Sequence, residues 1–305
     1  MQTAAAIHHI QSISQLVREL GLPAPLHPLI ALINYDNISV RALKKGQKLS
    51  IDFYKISFKP ALFKGQTKYG QGYYDFEEGG LAFLKPKQVV FSPEDAGSYQ
   101  GYALYFHPDL IRNYPLARSI SAFGFFAYDV SEALFLSAKE KETINHLFGT
   151  IASELDTNTD SFTQDVLVSQ IELLLNYSNR FYNRQFHTRK AVNHEIITSL
   201  EQLLNNYYDE NKGVANGLPS VQYVSHCLKL SPRYLSDLLR SVSGQNTQQY
   251  IQQVVIDKAK EKLSATSLSV SEIAYELGFE HPQSFSKLFK SKTDLSPLEF
   301  RQSFN

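Results

Sequence analysis

VQYVSHCLKLSPRYLSDLLRSVSGQNTQQY, residues 221–250, and VSEIAYELGFEHPQSFSKLFKSKTDLSPLEF, residues 270–300, are two versions of one pattern. Val224 and Leu228 correspond to Ile273 and Leu277 at an offset of 49. Pro232, Leu235, Ser236, Leu238, Leu239, Arg240 and Ser241 correspond to Pro282, Phe285, Ser286, Leu288, Phe289, Lys290 and Ser291 at an offset of 50. The register slips by one residue, and the slip falls between two helical periods, where a turn absorbs it.

Each version divides into two short amphipathic helices. In the first, Ser231 is an N-cap and Pro232 the first helical residue, so the second helix starts there. Leu235, Leu238 and Leu239 then point inward, and Arg233, Tyr234, Ser236, Asp237 and Arg240 point outward. In the second, Ser269 caps the first helix, Gly278 ends it, and Pro282 opens the next. Phe285, Leu288 and Phe289 point inward; Gln283, Ser284, Lys287 and Lys290 point outward. Two helices joined by a turn of three or four residues form the unit that lays its second helix in a DNA major groove. The outward residues suit that role, since Arg donates twice to guanine, Gln pairs with adenine, and Lys reaches guanine or phosphate. The helix expected from Thr247 to Leu263 spans roughly 25 Å at 1.5 Å per residue. A bridge of that length helps to hold two reading heads about one DNA turn, roughly 34 Å, apart. Helix-turn-helix units also serve as protein-binding modules, but two copies with matching caps and outward basic residues favour the nucleic-acid reading.

Bulk charge adds little. The 305 residues carry 30 basic and 30 acidic side chains, and from Pro219 onward ten Lys or Arg face eight Asp or Glu. Affinity for a polyanion must then come from a local stripe, with base contacts supplying specificity.

The run GQNTQQYIQQVVIDKAKEKLSATSLSVSEIAYELGFEHPQSFSKLFKSKTDLSPLEFR resembles the C-terminal signature of AraC/XylS-type transcriptional regulators. The A-x-x-L-G-F turn, the F-S-K-x-F-K reading helix and the closing S-P-x-x-F-R carry the resemblance. It implies a two-headed DNA-binding domain behind an N-terminal sensory or dimerisation domain, with double-stranded DNA and RNA polymerase as partners. Base-contacting places of the family fall on Arg233, Ser236 and Asp237, and on Pro282, Gln283, Ser284 and Lys287. Asp237 is an acid where many relatives have a base or an amide. Ser225 and Asp294 stand where relatives usually have Ala and Gly, and Val255-Ile256 replaces Arg-Leu, which puts a bridge-helix contact in doubt.

The N-terminal region reads differently. Of the 38 Phe and Tyr, 27 precede residue 195, in a stretch of short alternating segments. ISVRAL, LSIDFYKISF, GYYDF, LAFLK, QVVF and YQGYALYF read as strands between turn-rich connectors, an antiparallel barrel or sandwich over about 35–118. With the resemblance, the fold class expected is α+β: an N-terminal cupin-like antiparallel β-barrel with a helical hairpin, then an all-α double helix-turn-helix domain. The boundaries expected are 1–136 for the sensory domain, 137–182 for the hairpin and dimer interface, 183–193 for a linker and 194–305 for the DNA-binding domain. Ser137 with Glu140 makes a capping box at the start of the hairpin, and Ile7, Ile10, Ile13, Val17 and Leu20 mark a helix over 4–20. DENKGVANGLP, before the repeat, reads as a loop.

Tyr54, Lys55, Tyr69, Tyr73 and Tyr102 are candidates for binding a small-molecule effector, with Tyr74, Tyr105 and Lys85 beside them. Pockets combine apolar walls with a few polar groups, although Tyr also packs well in strands for structural reasons alone. No histidine lies between His27 and His107, so a metal-binding cupin is disfavoured. The chain has one cysteine, Cys227, expected as a small buried core residue; His8-His9 is expected at the surface of the N-terminal helix. No catalytic set, metal site or cofactor motif is found. Without a membrane-length apolar run or a signal-type N-terminus, a cytoplasmic location is expected, and a homodimer is expected because one pair of heads reads limited sequence and symmetry doubles it. The alternative is a metal-free cupin-like sugar-binding protein or enzyme with a helical appendage.

Overall fold

The computed structural model describes residues 7–38, 47–59, 67–69, 72–74, 79–91 and 100–304. The chain divides into two compact units, residues 1–185 and 186–305.

The first unit is built on β-strands. β1 (His8–Ile10), α1 (Ile13–Glu19), β2 (Ile30–Asn34), β3 (Lys48–Ile51) and β4 (Tyr54–Lys59) are followed by the hairpin of β5 (Thr67–Tyr69) and β6 (Gly72–Tyr74). Then come β7 (Gly80–Leu84), β8 (Val89–Phe91), β9 (Tyr102–Phe106), the one-turn helices α2 (Pro108–Ile111) and α3 (Leu116–Ser119), and β10 (Leu134–Phe135). One sheet has the order β10-β7-β4-β9-β2 and is antiparallel throughout; a second has the order β1-β3-β8. Among the described residues the strands do not close into a ring, and the unit is β-sheet-rich.

Alternation gives the five-stranded sheet two distinct faces. Ala31, Ile33, Ala103 and Tyr105 share a core with Phe53, with Ile10 and Ile51 of the smaller sheet, and with Ile13, Leu16 and Val17 of α1. On the opposite face Tyr54 stacks on Phe106, and Phe83 packs against Phe125 and Phe126. Helices cover that second face. Phe148 of α4 (Ala138–Asp156) stacks on Phe58 and Tyr102, and Tyr182 of α5 (Thr163–Thr188) packs on Phe83 and Phe125. Ser137 and Glu140 form the expected capping box, and Arg184 Nε donates to Glu140 Oε1 at 3.0 Å, tying the start of α4 to the end of α5.

Several expectations need correction. The helix expected over 4–20 begins only at Ile13, because the Ser12 hydroxyl caps it there. His8–Ile10 instead pair in parallel with β3. His8 bonds Glu19 at 2.7 Å and His9 bonds Asp52 at 3.2 Å, so the doublet fastens a strand and does not decorate a helix. LSIDFYKISF is two strands of different sheets, bent at Asp52-Phe53. β2 lies before the first strand expected from alternation, and most of ISVRAL lies outside the described residues.

The second unit is helical. α6 (Lys190–Asp209), α7 (Lys212–Asn216), α8 (Val221–Leu228), α9 (Pro232–Ser243), α10 (Thr247–Ala265), α11 (Val270–Glu276), α12 (Pro282–Thr293) and α13 (Pro297–Gln302) enclose one core. The linker expected at 183–193 is helical on both sides of Arg189, which separates α5 from α6. NRQFHTRK contains neither Gly nor Pro, its Arg, Gln and Lys favour helix, and Phe186 is buried, so nothing keeps this polar stretch extended. The expected loop before the repeat likewise contains α7.

Candidate nucleic-acid interface

The two helix-turn-helix units are α8 with α9 and α11 with α12. Ser231 accepts from the backbone N–H of Tyr234, and Ser269 and Glu272 bond reciprocally across the first turn of α11. Those bonds to Ser269 hold the Glu272 carboxyl below its usual range. Both units direct their apolar stripes into the same core: Val224, Leu235 and Leu239 from one, Ile273, Phe285 and Phe289 from the other, all at most 1% exposed. The bridge helix α10 lies between them and contributes Ile251, Val255, Ile256 and Ala259. Val255 and Ile256, which replace the family's usual Arg-Leu, are thus packed core residues. Arg301 Nε donates to the Leu263 carbonyl at 3.2 Å and satisfies one of the acceptors at the end of α10.

Both units need left-handed backbone at two places and meet the need in opposite ways. The turn after α8 uses Lys229 at φ 56°, where the turn after α11 has Gly278 at φ 92°. The end of α9 has Gly244 at φ 75°, where α12 ends on Asp294 at φ 61°. Gly278 is constrained by space as well: a Cβ there would stand 2.5 Å from the Gly217 carbonyl carbon. A Cβ on Gly213 of α7 would stand 2.6 Å from the Glu276 oxygen, and Tyr207 Oη donates to the Gly217 oxygen at 2.9 Å. The segment 207–217 is therefore a close backing for the second turn.

On α12, Gln283, Ser284, Lys287 and Lys290 are exposed and Pro282 is half-buried at the start. Gln283, Ser284 and Lys287 make no side-chain hydrogen bond or ion pair among the described residues, so their donors and acceptors face solvent. Leu288, expected inside, is only partly buried. On α9 the geometry is different. Arg233 and Arg240 are exposed, but Asp237 lies between them, bonded to Arg233 Nε at 2.9 Å and to Arg240 at 3.1 Å. Ser236 is half-buried.

Tyr234, expected on the outer face, is 6% exposed and packs edge-on against Phe186, with ring centres 5.3 Å apart. The residue that covers it lies almost fifty positions away, so helical period alone put it outside. Beside it His187 Nε2 lies 3.4 Å from Ser241 Oγ. Cys227, expected in the core, is exposed, because α8 turns Val224 and Ser225 inward. The Ser225 hydroxyl is buried without a hydrogen-bond partner.

Of the effector candidates, Tyr54 and Tyr102 lie on the helix-covered face of the sheet and Lys55 on the other, since adjacent strand residues alternate. Tyr69 and Tyr73 are backbone positions of the β5–β6 hairpin, and their side chains lie outside the described residues. Among the described residues no cluster of His, Cys, Asp or Glu is arranged to hold a metal ion, and no helix is long and apolar enough to cross a membrane.

Residues 224–303 match a family model described as a helix-turn-helix domain. YfiF of Bacillus subtilis (strain 168), named an HTH-type transcriptional regulator, is 25% identical over 82% of this chain and 76% of its own length. YesN of the same organism, named a transcriptional regulatory protein, is 39% identical over 25% of this chain and 21% of its own. Among solved structures, the C-terminal domain of AraT, a response regulator from Geobacillus stearothermophilus, has 25% identity and a TM-score of 0.31 over 35% of this chain and 84% of that one. The helices from α8 to α13 form the DNA-binding domain of a transcription regulator. Residues 224–303 are thus similar to the helix-turn-helix domains of AraC-type regulators.

Proposed function

We propose that this protein binds a specific operator by placing α9 and α12 in successive major grooves, with α12 reading bases and α9 contributing mainly phosphate contacts. The observation that carries this reading is the exposed, unbonded row of Gln283, Ser284 and Lys287 beside the Asp237-bridged arginines of α9. Bidentate base contacts need side chains free to present both groups, and each is worth about 1–3 kcal/mol of discrimination. The near-balance of charge in the C-terminal half supports a reading in which base contacts outweigh bulk attraction. A fluorescence titration with duplex DNA from the chain's own promoter region should give tighter binding than unrelated DNA at moderate salt. Equal binding to both would overturn the reading.

The chain acts as a homodimer through residues 137–182, supported by exposed Phe162, just before α5, and Val166 and Leu173 on α5, which border a groove with Ser169 and Gln170. Light scattering should give twice the chain mass, and a monomer with full-affinity DNA binding would count against it. The N-terminal unit is a cupin-like sensory domain for a small molecule, a reading supported by two sheets that share one core. The domains proposed remain 1–136, 137–182 and 194–305, with RNA polymerase as the partner on DNA.

A further inference from the structure

The two reading heads, α8 with α9 and α11 with α12, are joined at more than one place. α10 packs against α9, α11 and α12 and is the continuous bridge between them. A second connection runs through the corner between α6 and α8, where α6 packs on α8 and α7 packs on α11. Residues 207–217 form that corner, and it touches both heads.

On the side of the second head the contact is backbone against backbone. A Cβ on Gly213 would meet the Glu276 oxygen at 2.6 Å and the Leu277 carbonyl carbon at 3.2 Å. A Cβ on Gly278 would meet the Gly217 oxygen at 2.6 Å and the Leu218 nitrogen at 2.9 Å. Neither neighbour is a side chain that can swing aside, so only glycine lets the two segments approach this closely. On the side of the first head the contact is aromatic. Tyr207 is 3% exposed and meets the ring of Tyr223 on α8 edge-on, with centres 5.4 Å apart. Its hydroxyl is the donor to the Gly217 oxygen, so one buried side chain joins α8 to the backing of the second turn. Only Leu218, Pro219 and Ser220 then separate Gly217 from α8, and the Ser220 hydroxyl caps that helix.

The bridge helix fastens the same corner. Lys258 and Lys262, one turn apart on α10, reach Asp209 at 3.7 Å and Glu276 at 2.7 Å. Asp209 ends α6 and Glu276 ends α11, the two elements that α7 connects. Exposed ion pairs add little energy, but these two agree with a single arrangement of the three helix ends. A loop that merely covered a core would need neither glycines on both sides of one contact nor a buried tyrosine whose hydroxyl serves it.

We infer that residues 207–217 are a clamp that fixes the separation and angle of the two reading heads, with Tyr207, Gly213 and Gly217 as positioning residues for α9 and α12. The DNA such a clamp selects is a duplex whose two half-sites have one spacing, since an added base pair moves a groove by about 3.4 Å and turns it by about 35°. The spacing preference rests on the proposed reading of α9 and α12 as DNA-reading helices; the rigidity of the corner does not.

The test uses the full chain with Cys227→Ser and nitroxide labels on Val242→Cys and Lys292→Cys, exposed positions that correspond to each other in the two heads at the offset of 50. Double electron–electron resonance should give one narrow distance distribution. Gly213→Ala should shift or broaden it by about 1 Å or more, because a Cβ at 2.6 Å from an oxygen must retreat by roughly that much to reach ordinary contact. Tyr207→Phe keeps the ring on Tyr223 and removes only the hydroxyl, so it reports even where Gly213→Ala fails to fold, and it should broaden the distribution in the same sense. Distributions that match the parent in every folded variant would overturn the clamp.

The consequence is read on a duplex selected from random sequence by the parent chain, and on the same duplex with one base pair inserted between its half-sites. The parent should bind the insertion about tenfold or more weakly, the cost of one or more lost base contacts. Both variants should cut that ratio about twofold or more, whereas a mere loss of stability would weaken both duplexes alike and leave the ratio unchanged. Equal binding of the two duplexes by the parent would overturn the clamp. A parent that prefers no duplex would count against the proposed function alone, because the distance measurement stands without DNA.

Discussion

The two helix-turn-helix units share a core and a capping scheme but differ at the same position of the reading helix. Asp237 in α9 corresponds to Lys287 in α12, and Tyr234 corresponds to Ser284. The acid draws Arg233 and Arg240 along the helix surface, whereas the base in the second unit stands exposed. An exposed ion pair within a helix is worth only about 0.3–0.5 kcal/mol, and a bidentate contact to guanine about 1–3 kcal/mol. The arginines can therefore exchange partners on DNA, but the carboxylate remains near the phosphates. The two units share a scaffold and differ on their reading surfaces, as expected where core positions are held by packing and outward positions answer only to the ligand.

The largest effect expected within this comparison is at the turns. Gly278→Ala forces a side chain into left-handed backbone against Gly217 and should cost about 2–5 kcal/mol of stability. Chemical denaturation measures it, and a loss similar to that of an ordinary surface Gly→Ala change would mean that the backing by 207–217 is loose. At the corresponding position Lys229→Gly relieves the same backbone strain and should instead stabilise by about 0.5–1 kcal/mol. Destabilisation by both substitutions would break the contrast between the turns.

On the reading surfaces, Gln283→Ala should cost about 1–3 kcal/mol on the cognate site and relax preference at one base pair. Lys290→Ala should weaken all sequences alike and flatten the salt slope by about one counterion. Binding titrations on cognate and scrambled duplexes at several salt concentrations distinguish the two, and uniform losses for Gln283→Ala would remove α12 as the base reader. The smallest effect belongs to Asp237→Asn, which should tighten binding about two- to fivefold at low salt by removing a charge beside two arginines. Weaker binding on one particular sequence would show that Asp237 itself accepts from a base.

Much of this was legible in the sequence, and unevenly so. In the C-terminal half, caps and periodicity act over three or four residues, so Ser231, Pro232, Ser269 and Pro282 mark helix starts without reference to the rest of the chain. The burial of Tyr234 was not legible, because Phe186, which covers it, lies almost fifty residues earlier in the sequence, near the end of α5. Ser225 and Cys227 are two residues apart on α8, and small differences in how the helix is rolled decide which one enters the core. In the N-terminal half the strands LAFLK, QVVF and YQGYALYF were readable from alternation, but their pairing was not. The parallel partnership of β1 with β3 joins residues about forty positions apart, beyond the reach of any local pattern.

Sequence by itself determined that the chain carries a doubled helix-turn-helix behind a β-rich unit, where each reading helix begins, and which side chains differ between the two copies. Those features follow from local hydrogen bonding and from hydrophobic period, which a linear chain contains in full. Tertiary structure alone decided that Tyr234 is covered and that the second turn is backed by Gly213 and Gly217. Each of these depends on which distant segment supplies the neighbouring surface, and that choice is made by burial of the whole core.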